Sequence, residues 1–291
     1  MKQADGGFTV AVGGEMDIRG AYCSLVIISL LNLPLALPTS SPARIHGDET
    51  FLTKMGVWFG RCQTFEGGIG AAPDNEAHGA YAFCCLAGLS LIDAPHRSIP
   101  KYLDVEHFAS WLSSRQSAPE GGFSGRTNKL VDACYSHWVG TCWSMLEAAV
   151  EVQDTGRSGH LASTPGSLWN REGLVRYSLC CSQVKTGGLR DKPGTRPDGY
   201  HSCYSLAGLS AAQNTWTFDN EPDVRENGTD GIERASLDAA FRWRPTAPTV
   251  EQMRGLAFDE EDRLEFVHPV FVIPTSAVDR ARKQFEHVVG F

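Results

Sequence analysis

A Gly-Gly turn recurs four times along this chain. The copies are Gln3-Ala4-Asp5-Gly6-Gly7-Phe8, Gln63-Thr64-Phe65-Glu66-Gly67-Gly68-Ile69-Gly70, Gln116 to Gly125, and Gln183-Val184-Lys185-Thr186-Gly187-Gly188-Leu189. Roughly fifty to sixty-five residues separate successive copies, a spacing used by repeat architectures. After each turn comes a loop of about ten residues, then an apolar segment that opens on Tyr, Cys or both. These openings are Tyr22-Cys23, Tyr81-Ala82-Phe83-Cys84, Cys134-Tyr135 and Cys203-Tyr204.

The repeat has an internal logic. Segments such as Tyr81 to Ile92 and Tyr204 to Ala212 are apolar nearly all round, which marks buried helices. Segments before the turns, such as Phe51 to Cys62 and Val105 to Gln116, mix apolar and charged positions at helical spacing. Outer amphipathic helices therefore alternate with inner buried ones, and no run of alternating strands competes. Such pairs stack side by side and can curve into a ring. The expectation is an all-α fold in a single domain over residues 1–291, with a last helix from about Ser276 to His287. Residues 215–265 are acidic and carry Pro222, Pro245 and Pro248. They are expected to form a variable, partly disordered, solvated insertion. Residues 38–48 read as another loop.

Composition excludes several classes. The net charge of −8 argues against non-specific binding to nucleic acid or an anionic membrane. The apolar stretch Leu25 to Leu37 is too short to span a bilayer and is broken by Pro34. Nine cysteines, an odd number with two adjacent pairs and no scaffold spacing, fit a reducing compartment. With no signal peptide legible before Glu15, the expected location is cytoplasmic.

The unusual residues gather at one kind of place. Arg19, His78, Asp132, Cys134, Tyr135 and His201 all stand where an inner helix should begin. If the inner helices run parallel, these starts converge on one mouth. Helix starts carry unsatisfied N–H groups and suit anions. Arg126 and Lys129 add two cations just ahead of such a start. On a regular helix Asp132 and Cys134 would point about 200° apart, so they share a ligand only where the backbone is not yet helical. Asp132 as a plain N-cap, with Cys134 in the core, is the competing reading. His201 follows the charged loop Asp191 to Tyr200, and an Asp, Cys and His with an open fourth position make a reasonable zinc set. An ordinary surface histidine is the alternative there. His78 caps a helix or binds an anion, and Arg19 has Glu15 and Asp17 as nearby partners.

The strings Val12-Gly13-Gly14-Glu15-Met16-Asp17-Ile18-Arg19-Gly20-Ala21-Tyr22-Cys23, Glu66-Gly67-Gly68-Ile69-Gly70, Glu76-Ala77-His78-Gly79, Gly125 to Tyr135, and Asp191-Lys192-Pro193-Gly194 with Tyr200-His201-Ser202-Cys203-Tyr204 resemble the protein prenyltransferase β-subunit family, most nearly its protein farnesyltransferase members. The likeness runs from about Lys2 to Ala212 and resumes weakly at His268-Pro269-Val270-Phe271 and at Gly290-Phe291. The resemblance implies an α/α barrel (toroid) of helical hairpins, a zinc ion on Asp132, Cys134 and His201, and magnesium near Asp191. It implies diphosphate binding by His78, Arg126, Lys129 and Tyr135. It also implies an isoprenoid and peptide cavity lined by Arg19, Tyr22, Tyr81, Cys84, Trp138 and Tyr200. The implied partners are an α subunit, farnesyl diphosphate and proteins ending in a CaaX motif.

Two positions depart from the family's pattern: Thr195 stands where a lysine is frequent, and His137 stands where phenylalanine commonly precedes the tryptophan. The pattern also starts in what the family would place in mid-barrel, so the barrel is expected to be incomplete at its N-terminal side and poorly soluble alone. Type I geranylgeranyltransferase β subunits and a non-catalytic helical-repeat interaction protein are the alternatives. A terpene cyclase is disfavoured, since no Asp-rich initiation motif stands in the matching loops.

Overall fold

A computed structural model describes residues 2–151, 168–220, 237–246 and 260–285. The Gly-Gly turns organise it. Each closes as a bridged loop, with Lys2 paired to Phe8, Gln63 to Ile69, Gln116 to Phe123 and Gln183 to Leu189. The first glycine of the pair has positive φ in every copy: 108° at Gly6, 93° at Gly67, 81° at Gly121 and 99° at Gly187. An L side chain rarely adopts that conformation.

The inner helices are α1 (Ile18–Leu30), α4 (Gly79–Ile92), the pair α7 (Tyr135–Trp138) and α8 (Gly140–Glu151), and α10 (Gly199–Gln213). In α4 the residues from Ala82 to Leu91 are buried without a break, as expected of a helix apolar on all faces. The outer helices are α3 (Met55–Arg61), α6 (Val105–Ser113) and α9 (Arg171–Arg176), the last extended by a π-helical turn over Tyr177–Ser182. Short helices α2 (Pro42–Ile45) and α5 (Pro95–Tyr102) lie in the connections. The outer helix before the second turn starts later than the sequence suggests. Phe51 donates its N–H to Leu35 at 2.9 Å, and Lys54 has φ 61°, so the chain cannot enter a helix before Met55.

The next outer helix in the chain seals each of the first three turns. A Cβ on Gly6 would stand 2.4 Å from the Lys54 carbonyl oxygen, one on Gly67 2.3 Å from that of His107, and one on Gly121 2.4 Å from that of Gly173. Four residues further along each helix, Trp58, Trp111 and Tyr177 lie against Gly7, Gly68 and Gly122. The turn's glutamine completes the joint. Gln63 donates Nε2–H to the Asp104 carbonyl (2.9 Å) and accepts from the Asp104 N–H (2.8 Å). Gln116 does the same to Asn170, at 2.8 Å in both directions.

The inner-helix starts are tied to the following repeat in an equally regular way. Ile18 N–H donates to Ala71 O (2.8 Å), Gly79 N–H to Gly125 O (2.7 Å) and Ala133 N–H to Asp191 O (2.9 Å). The helix starts therefore lie along one rim, as the parallel arrangement requires.

The described parts of residues 215–265 depart from the solvated insertion expected of that stretch. β1 (Thr215–Phe218) pairs antiparallel with β2 (Trp243–Thr246), with Trp216 opposite Pro245. Trp216, Phe218, Leu237, Ala240 and Trp243 are buried in the main core. The acidic average of this stretch hides a few aromatic residues, and these decide its packing. Residues 221–236 and 247–259, with Pro222 and Pro248, lie outside the described residues.

The last helix, α11 (Thr275–Phe285), is where the sequence places it, and residues 286–291 lie outside the described residues. It packs on α1 with Val278 buried, and the Asn32 amide donates to the Phe285 carbonyl at 3.2 Å. All nine cysteines are free thiols. Among the described residues no helix is long and apolar enough to cross a membrane.

Candidate functional site

The site is assembled from the starts of α4, α7 and α10. Asp132 precedes α7 in extended chain, its N–H bonded to Phe123 O at 3.1 Å, and Cys134 is the residue at the helix boundary. The backbone turns helical only at Cys134 (φ −64°, ψ −24°), with Asp132 still ahead of the helix, so the divergence a regular helix would impose on the two side chains does not arise. The Asp132 carboxylate accepts the Cys134 N–H at 2.9 Å, so it acts as a cap as well as a candidate ligand.

His201 is brought in by α10. Asp198 caps this helix, accepting the His201 N–H at 2.8 Å, and its other carboxylate oxygen stands 2.6 Å from His201 Nδ1. That contact turns Nε2 toward Asp132, whose Oδ1 is 3.4 Å away. Ligand atoms of Asp132, Cys134 and His201 all fall within 4.8 Å of one another. Two ligands of a tetrahedral zinc ion stand about 3.3 Å apart, so the trio would draw in by up to about 1.5 Å around such an ion, and three ligands leave a fourth position open. Burial, and then the neighbouring Asp132, push the Cys134 thiol above its usual range, so the metal-free sulfur is a neutral thiol.

Asp198 was not singled out from the sequence. Its signal was there, since an Asp three residues before the histidine at a helix start is an N-cap pattern.

Beside this trio stands a second group of candidate residues. His78 caps α4 and accepts the Ala80 N–H on Nδ1 at 3.1 Å. Nδ1 is therefore unprotonated, and the neutral ring carries its proton on Nε2, 3.1 Å from the Tyr135 hydroxyl oxygen. Burial, and then the nearby Arg126 guanidinium, hold the His78 pKa below its ordinary value and favour that neutral form. Tyr135 then accepts from His78 and keeps its own O–H for a ligand. Arg126 pairs with Glu76 at 2.8 Å, and Thr127 bonds Glu66 at 3.2 Å, so the loop that presents the exposed Lys129 is tethered to the preceding repeat.

The remaining candidates divide. Asp191 lies beside the trio, its backbone carbonyl accepting from Ala133 N–H and from the Tyr177 hydroxyl at 3.1 Å. Lys192 Nζ lies on one oxygen of its carboxylate, and the other is buried without a partner. Trp138 donates its indole N–H to the Tyr200 hydroxyl at 3.1 Å, and Tyr204 lies tilted against the one ring and edge-on to the other. Arg19 is half-exposed, clamped by Asp17 and set over the Tyr81 ring at 5.6 Å. Tyr22 points instead into the fold, its hydroxyl donating to Val270 O at 2.7 Å, and Cys84 is enclosed in the core.

Comparison with known proteins bears on the family and the fold. The model of the prenyltransferase alpha-alpha toroid domain matches residues 1–273. The farnesyltransferase β subunit of Pyricularia oryzae is 52% identical across the whole chain, which spans 53% of that protein. The farnesyltransferase β subunit of Schizosaccharomyces pombe is 38% identical over 72% of the chain and 49% of its own length. The chain thus spans about half the length of these relatives. Among solved structures, Candida albicans protein geranylgeranyltransferase-I complexed with GGPP superposes with a TM-score of 0.58 at 20% identity. That match covers 97% of this chain and 63% of the other, and at this identity it speaks to the fold alone.

Proposed function

The chain belongs to the prenyltransferase alpha-alpha toroid family, and on that premise we propose that it carries the metal and diphosphate centre of a protein farnesyltransferase β subunit. The reaction is transfer of a farnesyl group from farnesyl diphosphate to the cysteine thiol of a CaaX sequence, in a heterodimer with an α subunit. The observation that carries this reading is the convergence of the Asp132, Cys134 and His201 ligand atoms within 4.8 Å, with the His78–Tyr135 pair on the adjoining helix start.

Asp132, Cys134 and His201 would hold zinc, which supplies a Lewis acid that keeps a bound cysteine as thiolate near neutral pH. The substrate sulfur attacks C1 of the farnesyl chain, the C1–O bond breaks, and diphosphate departs with the bonding electrons. Charge grows on the departing oxygens as that bond lengthens. Tyr135 donates its free O–H to them, with its oxygen held by His78. Arg126 and Lys129 bring positive charge, Arg126 after exchanging its contact with the exposed Glu76 for the phosphate. Trp138, Tyr200 and Tyr81 offer aromatic faces to the apolar chain. Asp191 would hold magnesium only on releasing the Lys192 ammonium, and without that metal Lys192 would itself meet part of the diphosphate charge.

The test is farnesyl transfer to a CaaX peptide after co-expression with a matching α subunit, with zinc and magnesium added. Zinc-dependent transfer that is lost in Cys134→Ala together with the bound zinc supports the proposal. Unchanged zinc content and turnover in that variant would sink it. Competition between farnesyl and geranylgeranyl diphosphate then reads the preferred chain length, which depends on cavity depth.

A further inference from the structure

The joint that borders the candidate metal ligands differs from its two counterparts. Trp58 lies against Gly7 and Trp111 against Gly68, and at the third joint Tyr177 lies against Gly122. Among the described residues the indole N–H of Trp58 and of Trp111 is buried without a hydrogen-bond partner. The Tyr177 hydroxyl has one, donating to the Asp191 carbonyl at 3.1 Å. The spacing differs as well. Gln63 follows Trp58 by five positions and Gln116 follows Trp111 by five, whereas Gln183 follows Tyr177 by six. The π-helical turn Tyr177–Ser182 takes up the extra residue, with Gln183 N–H bonded to Ser178 O at 3.0 Å. Such turns are rare overall and concentrate at functional sites.

The carbonyl that Tyr177 reaches is the one that holds the ligand segment. Asp132 N–H donates to Phe123 O at 3.1 Å, Cys134 N–H to the Asp132 carboxylate at 2.9 Å, and Ala133 N–H, between them, to Asp191 O at 2.9 Å. The Asp191 carbonyl therefore accepts two hydrogen bonds, which occupies both its lone pairs. At the other two joints the corresponding carbonyls, those of Ala71 and Gly125, accept from Ile18 and Gly79, and the matching ring is an indole with no hydroxyl to add. The π-helical turn also grips the residue before Asp191: Arg190 donates its N–H to Ser182 O at 3.0 Å and its Nε–H to Cys181 O at 3.2 Å.

We propose that Tyr177 is a positioning residue for the metal ligands: by holding the Asp191 carbonyl against Ala133, its hydroxyl fixes the spacing of Asp132 and Cys134. The proposal rests on the metal reading of Asp132, Cys134 and His201 given above. Asp132 and Cys134 flank Ala133, so a shift of that carbonyl is passed to both ligands, while His201 is held on α10 by Asp198. Packing against the glycine needs no hydroxyl, as Trp58 and Trp111 show, so the part played by the hydroxyl can be separated from that of the ring.

The experiment uses the chain co-expressed with a matching α subunit, unmodified and as Tyr177→Phe, which keeps the ring and removes the hydroxyl. Zinc affinity is measured by competition with a chelator, and the visible spectrum is recorded after cobalt is substituted for zinc. The expected result is a folded variant that binds zinc about fivefold to tenfold more weakly and has shifted cobalt bands, which report ligand geometry and not the stability of the fold. A folded Y177F with unchanged zinc affinity and an unchanged cobalt spectrum overturns this inference and leaves the metal site standing. Weaker binding with an unaltered spectrum also overturns it, since the ligand spacing is then the same. No zinc binding by the unmodified chain overturns the metal reading and this inference with it. Should Y177F fail to fold, Tyr177→Trp, the residue type of the other two joints, takes its place with the same expected result. If that variant also fails to fold, Tyr177 serves the fold and not the ligand spacing, and the inference is overturned.

Discussion

Asp198 holds His201 twice, accepting its backbone N–H at 2.8 Å and standing 2.6 Å from its Nδ1 with the other carboxylate oxygen. The cap that starts α10 is therefore also the group that aims Nε2 at Asp132. Replacing Asp198 with Ala should weaken zinc binding about 10- to 100-fold, the usual effect of losing the partner of a ligating histidine. Competition with a chromogenic chelator reads this directly, and unchanged affinity would remove Asp198 from the site.

Tyr135→Phe removes the one hydroxyl that His78 leaves free to donate. Farnesyl transfer should slow about a hundredfold, as for loss of a single donor to developing negative charge. Zinc content should be unaffected, because the phenol is no ligand. A variant with the normal rate would show that the His78–Tyr135 pair is structural.

Two fully buried imidazoles should make the fold sensitive to acid. Burial lowers the His137 and His268 pKa values from about 6.5 to about 3. Between those values the unfolded chain takes up protons that the folded chain refuses, so stability falls as pH drops through the window and is unaffected above it. Each histidine contributes a slope of up to about 1.4 kcal/mol per pH unit. His137 Nε2 has no hydrogen-bond partner, so His137→Phe should keep the packing against Phe83 and flatten the slope of urea midpoints between pH 7 and pH 4.5. An unchanged slope would contradict this.

Glycine at the turns is demanded by the neighbour as well as by φ. Gly67→Ala combines a φ of 93° with a carbonyl at 2.3 Å and should cost about 2–5 kcal/mol. Gly13→Ala, with φ 71° and open space, should cost only about 1–2 kcal/mol. Equal losses in denaturant titrations would mean that the joint with α6 contributes nothing.

Trp243 discriminates between a solvated insertion and a core element. It is 3% exposed and stacks edge-on against Phe218 at 5.5 Å. Trp243→Ala should cost about 3–5 kcal/mol. In a solvated loop the same change would stay within about 0.5 kcal/mol.

Much of this was legible in the chain itself, for a physical reason. Helix periodicity, all-round apolarity and glycine pairs are local patterns, so the four turns, the alternation of inner and outer helices and the position of α11 could be read without a fold. Residue chemistry at helix starts likewise marked Asp132, Cys134, His201, His78 and Tyr135. The ribbon of Trp216 and Trp243 was not legible, because its aromatics are sparse in an acidic stretch and meet only when two distant segments pair.

Tertiary structure alone decided the rest. It brought His201 to within 3.4 Å of Asp132 across a whole helical repeat, and it fixed the proton of His78 by giving Nδ1 an amide to accept. It also turned Tyr22 and Cys84 inward, and it sealed the first three turns under the outer helices. Distances between groups far apart in sequence, and the identity of what covers a surface, depend on how the elements stack, and no local pattern encodes them.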